Sequence, residues 1–306
     1  MIIGVVGAGA IGGYCGAVLS RAGHDVIFAA RGKHLEAMKE RGLLVHNDAG
    51  TFRVDGHFTA DLKEMSRAEL ILFTVSSTDT LVAGRELLPW LKKDAGILTL
   101  QNGVDNEEIL AGLFGKNRVL SGVAYLTVIL EAPGVLRQKK LQSLLIGALD
   151  ESGRIRAESA CRMFQAAGME CELSEQIMVE KWSKLLINSV FNPIAAFNRV
   201  TVGEILDDEN LRATAERSLT EAVQIGSALG IPVKQELIDG FFEEAESARK
   251  HRPSMLQHRE QGKQMEVESL CGYFVRKGQA LGIDTPSFST LYEALSKINA
   301  ENRKKG

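Results

Sequence analysis

The first twenty residues, MIIGVVGAGAIGGYCGAVLS, contain six glycines and no charged side chain. The run IIGVV (2–6) is typical of a parallel strand that is buried on both faces. GAGAIG follows it directly, GYCGAVLSRAG then fits a helix that ends at Gly23, and DVIFAA (25–30) predicts the next strand. No basic segment precedes this run, and glycine is frequent in it. We therefore favour a strand–turn–helix–strand unit over a membrane span or a secretory signal.

The glycines of this turn stand at the three positions that a dinucleotide requires. Gly7 allows a tight turn, Gly9 lets a pyrophosphate approach the backbone, and Gly12 lets the helix pack closely on the strand. The helix N-terminus adds free N–H groups and the positive end of a dipole. A glycine-rich turn without a ligand is the alternative, which the flanking strand and helix disfavour. The predicted cofactor-binding residues of this turn are Gly7, Ala8, Gly9, Ala10, Ile11 and Gly12.

The end of the second predicted strand indicates which dinucleotide is bound. Sites that prefer NAD usually carry an Asp or Glu there, which binds the ribose 2′-hydroxyl. This strand ends AARGK, so Arg31 and Lys33 occupy the region where a carboxylate would be expected. A cation suits the 2′-phosphate of NADP, whereas two solvated charges at a helix start are the alternative. We predict NADP(H) as the cofactor, with Arg31 among the residues that bind it.

Further apolar runs extend the strand pattern to about residue 150. The runs at 43–46, 69–75, 96–100 and 118–122, with helical stretches between some of them, predict a doubly wound α/β sheet of the Rossmann type. The segments 126–131 and 143–149, separated by EAPG, predict antiparallel strands at the sheet edge. A helix at 159–168 follows.

After residue 175 the pattern becomes helical. Helices are predicted at 176–197, 208–229, 233–249, about 254–281, and 286–299. The fold class is therefore α/β, with an N-terminal NADP-binding Rossmann-type domain (1–174) and a C-terminal all-helical substrate and catalytic domain (175–306). We expect ligand at the carboxyl ends of the strands, where the helical domain closes the cleft.

Charge and cysteine usage exclude several classes of protein. The net charge of −3 and the pI of about 6.1 lack the basic excess of a nucleic-acid-binding domain. Four cysteines are scattered without a CxxC pair or a histidine at metal-ligand spacing, so no metal site is predicted. Such cysteine usage favours a reducing, cytoplasmic location.

The segment KWSKLLINSVFNP (181–193) places three polar residues on a helix that is otherwise apolar. Lys184, Asn188 and Asn192 are spaced four residues apart and lie near one helix face. Desolvation lowers the pKa of a lysine, which makes Lys184 the best candidate for the acid that protonates an alkoxide during ketone reduction. A polar stripe that faces solvent is the alternative, although apolar residues lie on both sides. Pro193 is expected to kink or end the helix.

Three further polar residues complete the candidate site. Ser254 lies in RPSMLQHRE, Glu266 lies in KQMEVESL, and Asn102 follows the predicted strand GILTL in LQNGVDN. A carboxylate such as Glu266 can hold a substrate hydroxyl or balance the charge of a lysine. Asn102 stands where a loop would meet the nicotinamide.

These segments together resemble the ketopantoate reductase (2-dehydropantoate 2-reductase) family over essentially the whole chain. The resemblance rests on GVVGAGAIGG, LQNGVDNEE, EKWSKLLINSVFNPIAA, VGEIL, PSMLQ and MEVES, in that order. It implies NADPH-dependent reduction of 2-dehydropantoate to pantoate, on the route to pantothenate and coenzyme A. By the same resemblance, the NADP-binding positions are Gly7, Gly9, Gly12 and Arg31, and Asn102 bridges cofactor and substrate. The resemblance also implies that Lys184 is the general acid and that Glu266 binds the substrate hydroxyl. It further implies that Asn188 and Asn192 orient the substrate and that Ser254 contacts the substrate carboxylate.

Four departures from the family pattern bear on the substrate rather than on Lys184 or Glu266. One is the segment after APG, VLRQKKLQSLL, which lacks the histidine and glycines that are common there. Ser76, in FTVSSTDT, stands where the family often has a lysine. His258 ends SMLQH where SMLQD is usual, and Glu268 ends EVE where EID is usual.

Two other functions stay open at this point. One is a reductase or dehydrogenase of the same superfamily that acts on another 2-oxo or hydroxy acid. The other is a non-catalytic NADP-binding regulator, which would not need a lysine, two asparagines and a glutamate in one site. The predicted partner is a small-molecule 2-oxo acid, with no nucleic acid and no membrane. A homodimer is an option that the sequence does not decide.

Overall fold

The computed structural model describes residues 1–233 and 235–305, apart from the side chains of residues 140–142 and 303–305. It comprises two compact units. The first consists of Met1–Asn102 and Asn106–Ile177, and the second of Gly103–Asp105 and Met178–Gly306. The predicted first domain contained residues 103–105, which the structure groups with the second unit. Lys234 and Gly306, which the predicted second domain includes, lie outside the described residues.

The first unit is built on one ten-stranded sheet. The strands are β1 (Ile2–Val6), β2 (Asp25–Ala29), β3 (Leu43–Asn47), β4 (Gly50–Val54), β5 (His57–Thr59), β6 (Leu70–Phe73), β7 (Gly96–Thr99), β8 (Val119–Ala132), β9 (Val135–Ala148) and β10 (Glu170–Leu173). The helices up to residue 166 are α1 (Ala10–Arg21), α2 (Gly32–Arg41), α3 (Thr80–Leu87), α4 (Asp105–Phe114) and α5 (Arg154–Ala166).

The central part of the sheet is parallel. Its strand order is β7-β6-β1-β2-β5, so the chain winds outward from β1 to β2 and β5 on one side, and then returns to β6 and β7 on the other side. The buried, uncharged strands β1 and β6 are fully apolar apart from Gly4, as expected for strands covered on both faces. Ligands bind α/β sheets at the carboxyl ends of strands where the winding direction reverses, which here are the ends of β1 and β6. The predicted doubly wound α/β fold is confirmed.

The β8–β9 hairpin differs from its prediction. Its strands are antiparallel as expected, but each is 14 residues long, and β8 unites the two predicted strands 118–122 and 126–131. The predicted position at the sheet edge is wrong, because β9 also pairs in parallel with β3 and with β10. β3 uses one end of β9 and β10 uses the other, which only a strand of this length permits. The short strands β4, β5 and β10 have no counterpart in the prediction.

The second unit is helical. Its helices are α6 (Ile177–Asn198), α7 (Val202–Asp207), α8 (Glu209–Ala228), α9 (Gln235–Asp239), α10 (Phe241–Ser247), α11 (Ser254–Glu260), α12 (Tyr273–Leu281) and α13 (Pro286–Lys305). The predicted helix 233–249 is divided at Gly240, and the predicted helix 254–281 consists of α11, a π-helical turn (Glu268–Gly272) and α12. In the described part of the chain, no helix has the length and apolarity needed to cross a membrane.

Helix α6 is fixed by aromatic packing. Trp182 meets Phe274 edge-on at 5.9 Å between ring centroids, and Phe191 stacks on Phe241 at 5.4 Å. Such pairs add to the stabilisation that burial of the rings already supplies. Pro193 lies inside α6, which continues to Asn198, so the helix does not end at the proline. A rigid α6 holds its polar face in a defined position.

Candidate active site

The glycine loop packs against the segment that follows β6. Gly7 has a φ of 95°, and a Cβ atom there would lie 2.6 Å from the backbone N of Val75. A Cβ on Gly12 would lie 2.1 Å from Oγ1 of Thr74. The Thr74 hydroxyl donates a hydrogen bond of 2.9 Å to the Gly7 carbonyl. Both positions therefore require glycine, for the backbone conformation at Gly7 and for close packing at Gly12.

Gly9 differs from these two glycines because it faces open space. A Cβ atom built on Gly9 would meet no atom within 4 Å. Helix α1 begins one residue later, at Ala10, and its first turn contains no acidic side chain. The first N–H groups of a helix lack partners within that helix. An uncrowded backbone beside a helix N-terminus fits the pyrophosphate of a dinucleotide.

Arg31 is the N-cap residue of α2 and lies two positions after the last residue of β2. Its guanidinium forms an ion pair of 3.3 Å with Glu86, and the two side chains are 75% and 50% exposed. An ion pair as exposed as this contributes about 0–1 kcal/mol. A phosphate can therefore compete with Glu86 for Arg31 at little cost.

A buried chain of hydrogen bonds supports the loop that contains Asn102. Gln101 donates from Nε2 to the Thr80 hydroxyl at 2.8 Å, and that hydroxyl donates to Asn106 at 2.7 Å. Asn106 in turn donates to the Asn102 carbonyl at 2.8 Å. Gln101, Thr80 and Asn106 are all buried. The network holds the half-buried Asn102 at the end of β7, and sequence reasoning did not identify its three other members.

Lys184 combines partial burial with two charged neighbours in the second unit. The pKa of its ammonium is lowered to about 8, mainly by burial and also by the cation of Lys181. The carboxylate of Glu266 acts in the opposite direction and raises it. An ammonium with a pKa of about 8 is still protonated at neutral pH and yields its proton more readily than an ordinary lysine.

Asn188 and Asn192 follow Lys184 along the same face of α6. Asn192 is only 7% exposed, and Asn188 is half-buried. Neither side-chain amide is hydrogen-bonded to another residue within the described ranges. Buried amides are usually paired, since an unpaired one loses its hydrogen bonds to water. The two amides are thus available to a polar ligand beside Lys184.

Ser254 and His258 lie one turn apart on the short helix α11. Ser254 is exposed, whereas His258 is half-buried. Burial lowers the pKa of His258, while the carboxylate of Glu266 raises it and Lys263 lowers it again. Glu266 therefore acts electrostatically on both Lys184 and His258. Sequence reasoning treated His258 as an ordinary surface or loop residue and as a departure from the family pattern, and it overlooked Lys181.

The predicted residues form two sets. The glycine loop, Arg31 and Asn102 belong to the first unit, whereas Lys184, Asn188, Asn192, Ser254 and Glu266 belong to the second. Within the part of the chain that the structure describes, no group of three or more His, Cys, Asp or Glu side chains could hold a metal ion. The chemistry open to these residues is nucleotide binding in the first unit and proton donation with polar recognition in the second.

Comparison with known proteins shows the family of this chain. The model of the ketopantoate reductase PanE/ApbA family matches residues 3–151, and the model of the C-terminal part of that family matches residues 176–299. A 2-dehydropantoate 2-reductase from Archaeoglobus fulgidus is 35% identical over 302 residues, which cover 97% of each chain.

Solved structures agree with these matches. A PanE/ApbA family ketopantoate reductase from Ralstonia eutropha JMP134 is 30% identical, with a TM-score of 0.91 over 99% of this chain and 100% of that one. A structure of D-mandelate dehydrogenase with NADH and anilino(oxo)acetate has a TM-score of 0.90 over 99% and 100% of the two chains. Its sequence identity is 20%, so this second likeness concerns the fold alone.

Proposed function

Because this chain belongs to the ketopantoate reductase family, and is thus an oxidoreductase, we propose that it reduces 2-dehydropantoate to (R)-pantoate with NADPH. The reaction would serve the biosynthesis of pantothenate and coenzyme A. The observation that carries the proposal is the lowered pKa of Lys184 on a helix face that also presents two amides without a hydrogen-bond partner among the described residues. Reduction of a ketone needs such an acid, whereas a regulator that only binds the cofactor does not.

The first unit would hold the cofactor. The backbone from Gly7 to Gly12 would bind the pyrophosphate, and Arg31 would bind the 2′-phosphate. NADPH supplies the hydride when it is bound. Asn102, held by the buried network, would orient the nicotinamide end and the substrate.

The second unit would bind and protonate the substrate. The Lys184 ammonium would donate a proton from Nζ to the carbonyl oxygen as negative charge develops there. Asn188 and Asn192 would hydrogen-bond the substrate, and the Ser254 hydroxyl would donate to its carboxylate. Glu266 would accept from the substrate hydroxyl while its charge keeps Lys184 protonated.

Kinetics with purified protein test this proposal. NADPH oxidation is followed spectroscopically with 2-dehydropantoate and a panel of other 2-oxo acids, with NADH in parallel. We expect 2-dehydropantoate to have the highest kcat/KM and NADPH to be preferred. Lys184→Ala should bind NADPH normally but lose roughly 10²–10⁴-fold in turnover. Lys250→Ala, an exposed lysine of the same unit, is the matched control.

Two outcomes would contradict the proposal. Near-normal turnover in Lys184→Ala would remove the lysine from its role as acid. A kcat/KM for 2-dehydropantoate no better than for pyruvate-like acids would favour the alternative substrate class, to which Ser76, in place of the usual lysine, also points.

The buried, free cysteines fit the proposed cytoplasmic location, and light scattering would decide between a monomer and the proposed homodimer.

A further inference from the structure

His34 connects the glycine loop to the turn of the β8–β9 hairpin within the first unit. Its Nε2 lies 2.8 Å from the Ala8 carbonyl oxygen, and its Nδ1 lies 2.9 Å from the backbone nitrogen of Gly134. A backbone N–H can only donate, so Nδ1 must be the acceptor and carries no proton. Nε2 therefore carries the ring proton and donates to Ala8. The two contacts together select one tautomer of the neutral imidazole.

The hairpin side of this connection is itself held in place. The Gly134 carbonyl accepts a hydrogen bond of 2.9 Å from the N–H of Leu44 in β3. Gly134 follows Pro133 and has a φ of 77°, which suits the third position of a type II turn. A Cβ atom on Gly134 would lie 3.2 Å from the Cβ of Ala37, so the turn packs closely on α2. The imidazole is thus anchored to the sheet rather than to a loose loop.

Ala8, on the other side of the ring, is the second residue of the glycine loop. Its N–H donates to the Ala29 carbonyl at 2.8 Å, so both backbone groups of Ala8 are engaged. The Ala8 carbonyl and the Gly9 N–H belong to the same planar peptide unit, and this N–H donates to the Gly7 carbonyl at 2.7 Å. Fixing that carbonyl therefore fixes the peptide that precedes the start of α1, where a pyrophosphate would bind.

We propose that His34 is a positioning residue for the dinucleotide, which acts by holding the Ala8–Gly9 peptide through its Nε2–H. This inference rests on the proposed function for the cofactor alone and is independent of the substrate acid. His34 lies in the first turn of α2, which also begins after Arg31. The same helix start would thereby organise both the pyrophosphate loop and the 2′-phosphate cation. Burial lowers the pKa of His34, against the Ala8 hydrogen bond that raises it, which favours the neutral ring.

Three variants test the inference by direct titration with NADPH in the absence of substrate. His34→Leu removes both hydrogen bonds, and we expect its Kd to rise about tenfold. His34→Gln retains one donor and one acceptor, and its Kd should stay within about threefold of wild type. His46→Leu is the control, because the ring of His46 is hydrogen-bonded to the Thr51 hydroxyl within the β3–β4 hairpin and not to the glycine loop. At saturating NADPH, kcat of His34→Leu should return to within about twofold, since His34 would act on binding.

A folded His34→Leu protein with the Kd of wild type would overturn the inference, and so would a His34→Gln protein that binds as weakly as His34→Leu. If His34→Leu does not fold, the ¹⁵N resonances of the wild-type imidazole decide. They are assigned by their loss in His34→Gln. An Nε2–H tautomer at neutral pH supports the inference, whereas an Nδ1–H tautomer or an imidazolium overturns it.

These outcomes are separable from failure of the proposed function. A wild-type chain that binds NADPH but does not reduce 2-dehydropantoate contradicts the proposed substrate, while the effect of the His34 variants on Kd still supports or overturns the inference. A wild-type chain that binds neither NADPH nor NADH would overturn the inference together with the cofactor assignment.

Discussion

Lys181 and Lys184 lie one helical turn apart on α6, and the positive charge of Lys181 lowers the pKa of Lys184. Lys181 is only 4% exposed, so water screens its charge weakly. Glu266 acts on the same ammonium with the opposite sign. The pKa of Lys184 is therefore subject to a buried cation and a carboxylate of opposite effect, and a separate prediction follows from each of them.

The pH dependence of ketone reduction should follow the protonation of Lys184. A general acid works in its protonated form, so kcat/KM is expected to be level near neutral pH and to fall as the pH rises through about 8. An ordinary lysine would place this fall above pH 10. The measurement is a pH–rate profile between pH 6 and roughly pH 10.5, with controls for enzyme stability. A profile that stays level up to pH 10 would exclude Lys184 as the titrating acid.

Replacing the buried cation should move this fall to higher pH. Lys181→Met removes a charge that lowers the Lys184 pKa. The pH at which kcat/KM falls (the alkaline limb of the pH–rate profile) should therefore rise by roughly 0.5–1.5 pH units. Glu266→Gln removes the charge that raises it, and the remaining activity should show a downward shift of similar size. The two variants are each other's control, since general damage to the site would lower kcat without moving the limbs in opposite directions. Shifts of the same sign would refute the electrostatic account.

Removal of the lysine should stabilise the folded protein while it lowers activity. The folded-state pKa of Lys184 is lowered to about 8, below that of an unfolded lysine, so protonated Lys184 destabilises the folded state below pH 8. Lys184→Met should raise the free energy of unfolding at pH 7 by about 1–3 kcal/mol. The gain should shrink as the pH rises from about 8 to about 10.5, where the lysine becomes neutral in both states. Urea unfolding at three pH values measures this, with Lys250→Met as the exposed control.

Glu86 should oppose the binding of a 2′-phosphate to Arg31. Glu86→Gln removes the carboxylate that pairs with Arg31 at 3.3 Å, which frees the guanidinium and lowers local repulsion. We expect the Kd of NADPH to fall by roughly two- to fivefold, while the Kd of NADH changes by less than about twofold. Arg31→Asp should have the converse effect and favour NADH. Equal changes for both cofactors in Glu86→Gln would show that Arg31 does not contact the 2′-phosphate.

Two glycines of the same loop should fail in different ways. Gly9→Ala adds a methyl group in open space, so the free energy of unfolding should change by less than about 1 kcal/mol while NADPH affinity falls at least roughly tenfold. Gly12→Ala places a methyl group 2.1 Å from the Thr74 hydroxyl oxygen and 2.7 Å from the Gly7 carbonyl, so it should destabilise the unit by about 1–3 kcal/mol. Thermal unfolding and NADPH titration of both variants separate the effects. Full NADPH affinity in Gly9→Ala would place the pyrophosphate elsewhere.

Much of the first unit could be predicted from short stretches of sequence. The strand β1, the glycine loop and α1 are encoded within the first 21 residues, because the tight turn and the close helix–strand approach both demand glycine locally. The place of the β8–β9 hairpin within the sheet depends instead on the length of β9, which is long enough to pair with both β3 and β10. Apolar periodicity shows that a segment is extended but not which strands it joins.

The sequence by itself determined the fold class, the family and the residue types of the candidate site. The i, i+4 spacing on α6 needs only a regular helix to bring Lys184, Asn188 and Asn192 to one face. Tertiary structure alone decided how basic Lys184 is and which tautomer His34 adopts. The pKa of Lys184 depends on burial, on Lys181 and on the distant Glu266, and the tautomer of His34 depends on the distant Gly134. Electrostatic fields and hydrogen bonds follow distance in space, which a linear sequence does not record.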